Sequence, residues 1–139
     1  MVLSSGAMRR FLWHWFPPLA WMGLIFVLSA QSDLPHAEEA WLDVLLKKTG
    51  HALVYGVLVW LYRRALRRRF PAGTTLRIVS IGLAVAYALS DEYHQTFVPG
   101  RNGNLVDVAV DGVGACGAML LARWRERQRA RPGPVSAVR

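Results

Sequence analysis

The side chains best equipped for chemistry in this 139-residue chain fall into three short groups: Lys48, His51 and Tyr55; Asp91, Glu92 and Gln95, with Arg101 shortly after; and Asp107 with Asp111. Spacings of three and four recur within each group, so on a helix each group projects from one face. Together they offer an imidazole that titrates near neutrality, carboxyls to orient it or take a proton, and two cations to hold an anionic phosphate or carboxylate. In an enzyme, His51 is the general base or acid, and Glu92 or Asp91 orients it or activates a nucleophile. Lys48, Tyr55, Gln95, Arg101, Asp107 and Asp111 then bind the substrate. The structural alternative is that His51 and Tyr55 hydrogen-bond to the carboxylates to hold helices together, and that Arg101 closes a scaffold salt bridge.

Other chemistries are poorly supplied. No glycine-rich phosphate loop, nucleophile-elbow serine or His-Glu-x-x-His pattern is present. A metal set of His51, Glu92, His94 and Asp107 meets the objection that Glu92 and His94 are two apart and leave a helix on different faces. The expectation is therefore no metal and no cofactor. The single cysteine, Cys116, has no partner within the chain and reads as a small buried residue.

The elements that must carry these groups are set by where charge is missing. A net charge of +8 suits a nucleic-acid binder, but 53% of the residues are hydrophobic, six are Trp, and uncharged stretches alternate with short basic clusters. That alternation is the pattern of a membrane protein. The first stretch, from Phe11 to Ser32, carries no formal charge and is long enough to cross a hydrocarbon core of roughly 30 Å. A cleaved signal peptide is the rival reading; against it, the run is long and Leu28 is a poor residue three places before a cut at Ala30. Pro17 and Pro18 are expected in the first turn of this helix or at a kink. Trp13, Trp15 and Trp21 are expected in an interfacial belt near the cytoplasmic end.

The other three stretches are too short to span on uncharged residues alone. Thr49 to Tyr62 would cover only about 21 Å at the helical rise, so the second helix must begin near Trp41 and carry Lys47 and Lys48 with it. Starting the third helix at Leu76 brings Asp91, Glu92 and Gln95 into its final turns. Leu105 to Ala122 contains Asp107 and Asp111. The expected helices are about 11–31, 42–62, 76–96 and 105–123, followed by a basic disordered tail over 125–139. All the polar groups fall at one end of the bundle, which predicts one shared pocket. Gly114 and Ala118 continue the Asp107–Asp111 face and allow close helix packing just beneath it.

Lys and Arg in the connections set orientation. Fourteen of the seventeen fall in three regions: Arg9 and Arg10; Arg63, Arg64, Arg67, Arg68, Arg69 and Arg77; and Arg123, Arg125, Arg127, Arg129, Arg131 and Arg139. Only Lys47, Lys48 and Arg101 lie on the other side. The fold class expected is an all-α integral membrane four-helix bundle, N-in/C-in, with its polar pocket on the extracytoplasmic side.

Lys48-Thr-Gly-His51 followed by Tyr55, the string Ser90-Asp91-Glu92-Tyr-His-Gln95-Thr-Phe97-Val-Pro99-Gly100-Arg101, and Asp107 with Gly114 and Gly117 resemble the VanZ-like membrane proteins in order and spacing over roughly residues 20 to 122. Two positions depart from the pattern: Lys47 stands where an acidic residue is frequent and Asp111 where Asn is usual. The resemblance implies a four-helix protein of the cytoplasmic (inner) membrane, whose family namesake lowers susceptibility to the glycopeptide teicoplanin. It brings no settled activity. The expected partners are membrane lipid and a lipid-linked or peptide cell-wall substrate, with no nucleic acid and oligomerisation left open. The enzymatic alternative is an acid/base hydrolase or transferase. The non-catalytic one is an accessory protein holding a lipid head group or a partner protein. A transporter ranks third, because polar groups at one end only leave no ion path across.

Overall fold

The computed structural model describes residues 5–32, 39–101 and 103–129. They form four helices: α1 (Ser5–Ser29), α2 (Ala40–Leu66), α3 (Thr74–Gln95) and α4 (Leu105–Arg129), with no strand among the described residues. α1, α2 and α4 are long and apolar enough to cross a membrane. The 22 residues of α3 reach about 33 Å at the helical rise, but its apolar stretch is bounded by Arg77 on one side and Asp91 and Glu92 on the other.

The largest differences from the expected boundaries are at the start of α1 and the end of α4; α2 also runs four residues further, to Leu66. α1 begins six residues earlier, so Pro17 and Pro18 sit in mid-helix rather than in the first turn. Each proline removes an N–H and leaves the carbonyl four residues back without its helical donor. α4 runs to Arg129, past the expected end at 123, and residues 125–129 are helical; the remainder of the tail lies outside the described residues. The extension has a cause: Arg63 and Arg67 of α2 both donate to Glu126, the second at 2.9 Å, which ties the last turns of α4 to the bundle.

Cross-helix partners show how α2 and α4 lie. Lys48 with Asp107, His51 with Asp111 and Arg63 with Glu126 are 59, 60 and 63 residues apart, so the two helices run parallel, their offset drifting by about one turn over about four turns of α2. α3 supplies the return crossing that makes this possible. The closest approach is at Gly114, where an added Cβ would lie 2.6 Å from Ala52 Cα and strike the Ala52 carbonyl. One turn on, Gly56 faces Ala118. This is the small-residue packing expected on the Asp107–Asp111 face; Gly117, by contrast, has nothing near it. α3 buries Leu76, Ser80, Ala84, Ala88 and Asp91 along one face, again mostly small side chains.

The distribution of polarity is inverted relative to a water-soluble protein. Phe11, Phe16, Leu24, Phe26, Leu53, Trp60, Ile78, Val113 and Leu120 are exposed, whereas Ser80, Asp91, Glu92, Gln95 and Asp111 are buried. Such an apolar exterior is suited to lipid, and buried ionisable groups then face the bundle interior. Trp13 is 71% exposed. Trp15 and Trp21 pack against the core, and Trp21 Nε1–H donates to the Val54 carbonyl at 3.0 Å, which fastens α1 to α2. Cys116 is exposed on α4 rather than buried.

Candidate functional site

At the end of the bundle formed by the C-termini of α1 and α3 and the N-termini of α2 and α4, the polar groups converge. α2 presents Lys48, His51 and Tyr55 on one face. Lys48 Nζ donates to Asp107 Oδ1 at 2.7 Å, and one turn further in His51 Nδ1 lies 3.2 Å from Asp111 Oδ1. Tyr55 donates to Asp91 Oδ2 at 3.3 Å, and Gln95 Nε2 reaches both Asp91 and Glu92, at 3.2 and 3.3 Å. A hydroxyl that the spacing analysis passed over completes the set: Ser29, at the end of α1, donates to the same Asp91 oxygen at 2.8 Å. Nothing in the largely motif-free first helix marks it except its position in the last turn.

The loop between α3 and α4 closes over this end. Arg101 N–H donates to the Val98 carbonyl at 3.1 Å, and Gly100 takes φ 77°. This is a type II turn, with Pro99 at its first corner and glycine where the backbone turns left-handed. Asn104 then caps α4 through its side-chain oxygen on Val106 N–H, while its own N–H donates to Glu92 Oε2 at 2.8 Å. Glu92 is thus the latch between α3 and the start of α4. Arg101 was a candidate to clamp the loop onto a carboxylate, but its guanidinium makes no ion pair among the described residues, and its Nε is buried without an acceptor.

A cavity of about 460 Å³ opens here. Lys48, His51, Tyr55, Asp91, Gln95, Arg101 and Asp107 line its polar part; Ile25, Leu28, Val44, Leu46 and Val54 form apolar walls. Glu92 and Asp111 are not on its lining but lie behind His51: ligand-type atoms of His51, Glu92 and Asp111 all come within 4.8 Å of one another. Asp111 is 1% exposed and Asp91 3%, and each keeps one oxygen, Asp111 Oδ2 and Asp91 Oδ1, with no donor among the described residues. The geometry therefore gives the place beside His51 to Asp111, not to Asp91 or Glu92. His94 is elsewhere, stacked on Phe26 with ring centroids 4.3 Å apart, so the set His51, Glu92, His94 and Asp107 is not assembled.

A bundle of long apolar helices that buries carboxylates at one end defines a membrane protein with an internal polar pocket. The family profile described as VanZ/LLP1 matches residues 11–126, from the start of the first apolar stretch to the Glu126 contact, and the chain belongs to that family. No curated protein and no solved structure matches the chain.

Proposed function

We propose that this VanZ/LLP1 protein spans the cytoplasmic membrane four times, N-in/C-in, and uses the pocket at its extracytoplasmic end to take up the anionic head group of a lipid-linked cell-envelope molecule for acid/base chemistry. The observation that carries the reading is Arg101. A guanidinium without a carboxylate partner among the described residues, lining one cavity with Lys48 and with apolar walls from α1 and α2, suits an amphiphile with a phosphate or carboxylate head and a hydrocarbon tail. Leu28, Val44 and Leu46 are exposed on the outside of the bundle as well as lining the cavity, which offers the tail a lateral route from the lipid.

Within this reading His51 moves the proton and buried Asp111 holds its ring. Hydrogen-bonding one imidazole nitrogen to a carboxylate fixes the tautomer and leaves the other nitrogen for substrate. A protein that binds or modifies such a precursor would alter what a glycopeptide meets at the cell surface, in keeping with the teicoplanin phenotype of the family namesake. The second reading, an accessory protein that binds without chemistry, is favoured by one observation: His51, Tyr55 and Gln95 are all already engaged in bonds within or between helices.

Purified protein in lipid nanodiscs, incubated with lipid-linked cell-wall precursors and followed by mass spectrometry, separates the two. Saturable binding weakened about tenfold by Arg101→Gln is expected, equivalent to about 1.4 kcal/mol. Conversion lowered about 10²- to 10⁴-fold by His51→Ala establishes chemistry. Binding without conversion leaves the accessory reading, and binding indifferent to Arg101→Gln contradicts the site.

A further inference from the structure

The cluster behind the cavity has the makings of a second binding site. His51, Glu92 and Asp111 come from three different helices, and their ligand-type atoms converge within 4.8 Å. The 3.2 Å between His51 Nδ1 and Asp111 Oδ1 lies at the upper end of the ordinary N–H···O range. It also matches the separation of two ligands that hold one ion at about 2.1 Å and an angle near 100°. Asp111 is only 1% exposed, and its Oδ2 has no donor among the described residues. A buried carboxylate oxygen in that state is strongly disfavoured unless a cation or a proton compensates it.

Formal charge points the same way. Among the groups that line or back the cavity, Lys47 pairs with Asp43 and Lys48 with Asp107, leaving Asp91, Glu92 and Asp111 against Arg101 when His51 is neutral; Glu39, exposed at the start of α2, lies outside this set. That excess of two negative charges in a low-dielectric bundle is what a divalent cation would cancel. One imidazole nitrogen with two carboxylates is a borderline-to-hard donor set, suited to Zn²⁺ or Mn²⁺ and unlike the all-oxygen sets of Ca²⁺ and Mg²⁺.

We propose that His51, Glu92 and Asp111 bind a divalent Zn²⁺- or Mn²⁺-type cation just behind the cavity wall at His51. The inference rests on the proposed binding of a head group in the same pocket and revises one role in it: with a cation bound, His51 and Asp111 are ligands, and polarisation of the head group by the cation takes the place of proton transfer by His51.

The test uses detergent-purified full-length protein, stripped with EDTA, dialysed and titrated separately with Zn²⁺ and Mn²⁺, with bound metal counted by inductively coupled plasma mass spectrometry. About one equivalent per chain is expected for one of the two ions. Affinity should fall at least tenfold in Asp111→Asn and in Glu92→Gln, both close in shape, and stay unchanged in Glu126→Gln at the opposite end. Thermal unfolding of each variant shows that it is folded. No retained equivalent in the wild type, or retention unaffected by both pocket substitutions, overturns the site. Metal bound without precursor binding would overturn only the head-group reading; precursor binding without metal would overturn only this one.

Discussion

Both ends of the α2–α4 pair are clasped by ion pairs, yet the two ends are built on opposite principles. At one end Arg63 and Arg67 share Glu126, which is 47% exposed and outnumbered by cations. At the other, carboxylates outnumber cations and the deepest of them are almost wholly buried. Surplus arginine around a carboxylate that is about half exposed makes a modest fastening, although Arg63 itself is buried. Buried surplus carboxylate is costly and persists in membrane proteins where a ligand, ion or proton path requires it. The same helices thus carry a fastening at one end and a binding chamber at the other.

If that contrast is right, damage to the helix crossing between the ends should hurt most, and damage to the exposed fastening least. Gly114→Leu drives a side chain into the Ala52 backbone, where even a Cβ does not fit. It should destabilise the bundle by about 3 kcal/mol, at the upper end of overpacking effects, as measured by denaturation in detergent. An effect below about 0.5 kcal/mol would mean that α2 and α4 do not cross there. Glu126→Gln neutralises a half-exposed carboxylate while keeping an oxygen that can accept from buried Arg63, and should cost less than about 1 kcal/mol in the same assay. A larger loss would show that the arginine end is a structural core in its own right and would erase the distinction between the two ends.

Much of this arrangement is legible in the sequence because helical periodicity and the length of a bilayer crossing are local rules. The shortfall of uncharged residues after Thr49 forces α2 back towards Trp41, and the structure starts it at Ala40. Spacings of three and four put Lys48 with His51 and Asp107 with Asp111 on common faces. What spacing does not contain is which face meets which. The pairing of His51 with Asp111, rather than with Asp91 or Glu92, depends on the parallel register of α2 and α4, which is set by the Gly114–Ala52 contact sixty-two positions away in the chain. Ser29 was invisible for a similar reason: a serine in the last turn of an uncharged helix reads as a boundary residue until Asp91 is placed opposite it. The extension of α4 to Arg129 was hidden because a run rich in arginine looks solvated on its own, and only the partners on α2 give Glu126 a reason to stay helical.

The most direct test of the central claim is a structure of the protein in lipid nanodiscs with a lipid-linked cell-wall precursor. The account predicts head-group density in the hollow between Lys48, His51 and Arg101, with the hydrocarbon chain leaving along Leu28, Val44 and Leu46. Precursor density confined to the arginine end, with that hollow unchanged, would contradict it.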